Sequence, residues 1–116
     1  MKLLTQDLLK KLPVLYSQED NSDPMVVCKF FTPDAGWTWY AIEGSPVDED
    51  GYYDTKKEKV DFLFFGLVSG IEVELGYFSL SELQSIRGRL GLPVERDLYF
   101  EPTRLSAIKT LCRYNR

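Results

Sequence analysis

Residues 60–83, VDFLFFGLVSGIEVELGYFSLSEL, leave this chain few choices. Strand, tight turn, strand, helix cap and helix start follow one another with no gap. Val60–Val68 becomes almost wholly apolar through Leu63, Phe64, Phe65 and Leu67, the pattern of a strand covered on both faces. Ser69-Gly70 reads as a hairpin turn, because glycine tolerates the positive φ such turns require. The return run alternates, which predicts Ile71, Val73 and Leu75 inward and Glu72 and Glu74 outward. The period slips at Gly76, where a bulge is expected. Ser79-Leu80-Ser81-Glu82 matches a capping box, and Leu80, Leu83, Ile86 and Leu90 follow at helical spacing.

The flanks add elements of the same kinds. Thr5 can cap a short helix over 6–12, which Pro13 ends. Strands are expected over 25–32 and 37–43, joined by the turn residues Pro33-Asp34-Ala35-Gly36. In the second of these, Trp37, Trp39 and Ala41 alternate with Thr38, Tyr40 and Ile42. Residues 44–59 are rich in Pro, Gly and charge and predict an exposed acidic loop. A brief fifth strand is expected over 96–100. Thr103 then caps a last helix carrying Leu105, Ile108, Leu111 and Cys112 on one stripe. Strands in a run, followed by helices, indicate α+β: an antiparallel sheet of four to five strands with helices packed on one face. With 116 residues, positions 1–116 are expected to form a single domain.

Composition narrows the chemistry. Histidine is absent, which removes the commonest general base, Ser–His and Cys–His nucleophile pairs, and His-containing zinc sets. Neither a Walker-type loop nor GxGxxG occurs, and no cofactor is expected. RGRLGLP at 87–93 ends a helix rather than opening one, so it is a poor phosphate cradle. The formal charge is −4 and uneven: residues 34–61 hold eight acids against three lysines. Such a surface disfavours direct nucleic-acid binding and suits a basic protein partner. Cys28 and Cys112 lie far apart without a CxxC neighbour and read as buried reduced thiols. No apolar run reaches the ~20 residues of a membrane helix, and the start lacks the h-region of a signal peptide, so no membrane partner and a cytoplasmic protein are expected.

Three functional readings compete. The first is a partner-binding surface made of Trp37, Trp39, Tyr40, Glu43, Asp48, Glu49, Asp50, Tyr52 and Tyr53, since Trp and Tyr dominate interface hot spots. Against it stands the plain alternative that these aromatics are core. The second is a carboxylate site for a metal ion, using Glu72 and Glu74, about 7 Å apart on one strand face, with Glu43 and Asp97; a solvated face explains the same pair. The third is single-strand nucleic-acid stacking on the aromatic sheet, for which cations are sparse.

Several blocks together carry a resemblance that spans nearly the whole chain: LLTQDLLKKLPVLY, DPMVVCKFFTPDAGWTWYAIEG, LFFGLVSGIEVELGYFSLSEL and RGRLGLPVERDLYFEPTRLSAI. They resemble the bacterial domain of unknown function 2958 family. That resemblance implies no established activity and no agreed catalytic residues. It implies a small accessory protein of conjugative plasmids, integrative elements and phages, cargo that includes anti-restriction and anti-CRISPR inhibitors acting by binding. The polar and aromatic positions in the recurrent blocks are Trp37, Trp39, Tyr40, Glu43, Glu74, Tyr77, Arg87, Arg96, Asp97 and Glu101. The reading that follows is a non-catalytic binder of a host protein, a nucleic-acid-processing defence enzyme. The alternatives are a carboxylate or metal-dependent enzyme or ligand-binding domain, and a single-stranded nucleic-acid binder.

Overall fold

The computed structural model describes residues 1–114. In chain order it contains α1 (Gln6–Lys11), β1 (Met25–Val26), β2 (Cys28–Phe31), β3 (Thr38–Val47), β4 (Asp61–Ser69), β5 (Val73–Ser79), α2 (Leu80–Ser85), β6 (Glu95–Arg96), β7 (Thr103–Arg104) and α3 (Leu105–Tyr114). Five strands form one antiparallel sheet in the order β5-β4-β3-β2-β6, and β1 pairs with β7 in a small second sheet. The α+β class expected from the sequence is what the chain adopts.

Strand alternation places one apolar layer on each side of the large sheet. Trp39, Ala41, Phe30, Phe64 and Phe78 point to one side, where Leu83 of α2 and the half-buried Leu8 and Leu9 of α1 join them. Phe64 packs edge-on to Phe30 at 5.4 Å and stacks on Phe78 at 5.2 Å between ring centroids. Tyr40, Ile42 and Leu67 point to the other side, under Leu105, Ile108 and Cys112 of α3. The helices, expected on one face, are therefore divided between both. Each face of β3 and β4 is apolar enough to need cover, and one short helix pair cannot supply it twice.

Local signals at the starts of α1 and α2 behave as the sequence predicts. The Thr5 hydroxyl accepts from the Leu8 amide, and Ser79 with Glu82 forms the reciprocal capping box. Strand and loop boundaries shift more. The Gly76 bulge is not there: β4 and β5 pair without interruption from Leu63↔Ser79 to Ser69↔Val73. The turn between them takes three residues, 70–72, so Ile71 sits at its tip, 84% exposed instead of inward. Glu72 lies in that turn rather than on a strand, and Leu75 is exposed on the edge strand.

β3 runs four residues beyond Glu43, to Val47, so the loop begins at Asp48 and not at Gly44. Pro46 is tolerated there because β2 stops opposite Ala41, leaving that half of β3 with one strand neighbour. α2 ends at Ser85, and the expected helical stripe stops short of Leu90, which is 81% exposed. The fifth strand shrinks to Glu95–Arg96. Thr103 sits in β7 instead of capping α3; the first turn of α3 is held by Asp23, whose carboxylate accepts the Ser106 amide at 2.8 Å and hydroxyl at 2.7 Å. Both cysteines are free and buried, and burial pushes the Cys28 thiol up to about 12, far from the range of a reactive thiolate.

Candidate functional site

The predicted partner-binding residues do not make one surface. Trp39 and Tyr40 are buried on opposite faces of the sheet, as adjacent residues of one strand must be. Trp37 is half-exposed and stacks on Trp39 at 6.1 Å, above the turn at Gly70. Glu49, Asp50 and Tyr52 are exposed at the far end of β3, roughly 30 Å away at about 3.3 Å per strand residue. Asp48 is 2% exposed and holds its own loop together: Oδ1 accepts the Asp50 and Tyr52 amides, and Oδ2 accepts the Thr55 hydroxyl. That hydroxyl, above all, holds the Asp48 carboxyl below its usual range.

Asp48 is typical of the acidic segment 34–61. The Asp34 carboxylate accepts the Leu90 amide at 2.7 Å, across the chain in the RGRLGLP loop. Glu43 accepts from the Tyr16 and Gln18 amides, and Asp61 from the Ser81 amide and hydroxyl. Burial pushes the Asp61 carboxyl up, but the Ser81 and Phe62 hydrogen bonds outweigh it and the net direction is down. Four of the eight acids thus staple the fold. The amides of RGRLGLP that could have served a phosphate are already used: those of Leu90 and Leu92 donate to Asp34, and those of Gly88 and Gly91 donate to the Leu92 and Gly88 carbonyls.

A different group of residues does converge. The pairing of β3 with β4 shifts between Ala41 and Glu43, so Ile42 is an extra residue. Simple alternation would aim Glu43 with Trp39 and Ala41. The bulge instead puts it opposite Phe65, which pairs in turn with Tyr77. Glu43, Phe65 and Tyr77 therefore stand in one row across three strands, on the α3 side. Glu43 is 3% exposed; its Oε1 accepts the Tyr16 amide at 2.9 Å and its Oε2 the Gln18 amide at 2.7 Å. Ser45, one pleat on, accepts the Leu15 amide at 3.0 Å, and the Gly44 amide donates to the Pro13 carbonyl. These bonds hold Tyr16 at φ +69°, a left-handed conformation that costs a non-glycine residue of the order of 1 kcal/mol.

Held there, Tyr16 extends the row outward. Ring centroids are 4.9 Å apart for Phe65–Tyr77, 6.2 Å for Tyr77–Tyr16 and 5.8 Å for Tyr16–Tyr53. Tyr77 is 52% exposed and Tyr16 nearly as open. Between these rings, the 18–24 loop and the start of α3 lies a cavity of about 330 Å³, with Glu43, Phe65, Ile42 and Leu75 on its walls and Glu19 and Lys109 among its outer residues. The Tyr77 phenol is pushed up, first by burial, then by the neighbouring Tyr16, then by the charges of Glu43 and Glu19. Of the partner-binding residues expected from the sequence, Glu43 and Tyr53 belong to this site. Tyr16 is an addition that only the structure makes, because nothing in its local sequence marks it.

The carboxylate constellation does not assemble. Glu74 is on β5 and Asp97 just follows β6, at opposite edges of a five-stranded sheet and roughly 19 Å apart at about 4.8 Å per strand. Asp97 instead faces Lys29 at 3.7 Å. Among the described residues no three His, Cys, Asp or Glu side chains group as metal ligands. Nor is any described helix long and apolar enough to cross a membrane.

A family model described as "Protein of unknown function (DUF2958)" matches residues 3–115. The chain belongs to the DUF2958 family. No curated protein and no solved structure matches it. In this DUF2958 chain the WTWYAIE block runs through the β3 bulge to Glu43, and LFFGLV with ELGYFSL supplies Phe65 and Tyr77. The blocks that carry the resemblance are thus largely those that build the Glu43 row, together with much of the core.

Proposed function

We propose that this DUF2958 chain is a non-catalytic protein-binding module of mobile-element or phage origin, which docks on and inhibits a host nucleic-acid-processing defence enzyme. The observation that carries the reading is the run of accessible rings Tyr77–Tyr16–Tyr53 beside a buried carboxylate. Tyrosine offers large contact area with little rotamer entropy to lose, and is enriched at binding hot spots. Exposed Glu49, in the loop that carries Tyr53, adds negative potential on that side, while Asp50 is paired with Lys57 at 2.7 Å. The docking surface is accordingly moved from the Trp37–Trp39–Tyr40 strand to Tyr16, Tyr53 and Tyr77, with Glu49 and Asp50 as rim. The absence of histidine and the scattered carboxylates favour binding over catalysis. The mobile-element origin and counter-defence role rest on the genomic company that the family resemblance implies.

Affinity capture from host lysate tests this, at low and moderate salt. The expected result is one stoichiometric nucleic-acid-processing enzyme, inhibited by the purified chain and lost from the Tyr16→Ala/Tyr53→Ala variant. Capture unchanged by that variant, or a captured enzyme that keeps full activity, would overturn the proposal.

A further inference from the structure

Glu43 presents a physical problem that the fold does not solve by itself. Its carboxylate is withdrawn from water, yet among the described residues no Lys or Arg nitrogen lies within ion-pair distance of it. Two backbone amides satisfy one lone pair on each oxygen; each oxygen has a second. A buried charge of this kind is costly unless matched, and it leaves a negative potential in the cavity it borders. Glu19 at the mouth has the same sign. Lys109 also lines the opening but makes no ion pair with Glu43.

The walls fit a cation of one shape. Phe65, Tyr77 and Tyr16 present ring faces and edges at mutual spacings of 4.9 and 6.2 Å, and aromatic faces attract cations that lose their water. An ammonium holds its hydration tightly, whereas a guanidinium is planar, weakly hydrated, stacks on tyrosine and forks onto a carboxylate. A cavity of about 330 Å³ has room for that group and its three-carbon stem. We propose that this cavity is an arginine pocket: a partner protein inserts one arginine side chain alongside the contacting Tyr16 and Tyr77 rings, with its guanidinium directed at Glu43. This rests on the protein-binding reading above and names the chemistry by which the partner is recognised.

The test needs no partner. The full-length ¹⁵N-labelled chain is titrated with acetyl-arginine-amide and, separately, with acetyl-citrulline-amide, which keeps the planar shape but has no charge and carries a carbonyl acceptor in place of one NH2 donor. The arginine probe should give saturable shifts at the Tyr16, Gln18 and Tyr77 amides, with the citrulline probe at least tenfold weaker. Tyr77→Ala, at an exposed edge position, should keep the remaining spectrum and lose the saturable response. Equal response to both probes overturns the pocket, as do shifts centred on the 49–54 loop or no saturable shift at all. If lysate capture succeeds while the probe fails, only the arginine pocket falls and the binding surface stands.

Discussion

At the scale of single residues, two glycines on facing strands have opposite meanings. A Cβ on Gly66 would lie 1.8 Å from the Tyr40 carbonyl oxygen, a backbone atom beside the β3 bulge that cannot swing aside. Gly76 pairs directly with Gly66 across β4 and β5, but a Cβ there meets nothing within 4 Å and its φ is ordinary. Gly66→Ala should therefore cost about 3 kcal/mol or prevent folding. Gly76→Ala should be neutral or stabilise by about 0.5 kcal/mol, since glycine in a strand loses more backbone entropy than alanine. Urea denaturation of the two variants checks the pair, and a destabilised Gly76→Ala would contradict this account of β5.

At the scale of elements, the segment from Pro13 to Gln18 has no regular hydrogen-bonding pattern and is held on β3 by borrowed partners. Glu43 supplies two of them. Removing both acceptors with Glu43→Ala leaves two part-buried amides without partners and should cost roughly 1.5–3 kcal/mol. Glu43→Gln keeps one carbonyl acceptor and should cost less. Hydrogen exchange locates the effect: the Tyr16 and Gln18 amides should lose protection in Glu43→Ala while the β4–β5 ladder keeps its own. A uniform loss of protection would mean that Glu43 supports the whole sheet instead. α3 is tied down in the same manner, through Asp23 at its first turn. Asp23→Ala should cost about 1 kcal/mol, as the loss of a helix cap does, read as a lower urea midpoint.

At the scale of the whole molecule, carboxylates link segments apart in the chain, Asp23 to α3 and Asp61 to α2, and Asp48 closes its own loop. Hydrogen bonds from Ser106, Thr55 and Ser81 hold these three carboxyls below the range of a free aspartate. A lowered folded-state value means that each contributes stability above the unfolded value of about 3.9, and that this is lost as pH falls through the folded value. Thermal stability should be level near neutrality and fall progressively below about pH 4. Asp61→Asn should lower stability at pH 7 and flatten the acid decline; parallel pH profiles for variant and native chain would refute the linkage. The acidic segment is in this sense partly architectural. Its net charge is readable as a surface property, yet half of its acids are turned to the chain's own amides.

The division between what the linear chain determined and what it left open follows the range of the forces involved. The N-caps of α1 and α2, the β4–β5 hairpin and the antiparallel α+β class were legible because each depends on residues a few positions apart, where propensity and periodicity act. The expected Thr103 cap of α3 was not borne out, its place being taken by Asp23 from 83 residues away. The Ile42 bulge was not, because alternation through Trp39, Tyr40 and Ala41 looks regular until β4 is laid beside it. That single extra residue turns Glu43 to the α3 face, and with it decides that a tyrosine from the N-terminal segment and one from the edge strand meet beside a buried carboxylate, with the loop's Tyr53 against the first of them. The meeting depends on contacts more than 20 residues apart, which no local pattern records; only tertiary packing could bring them together.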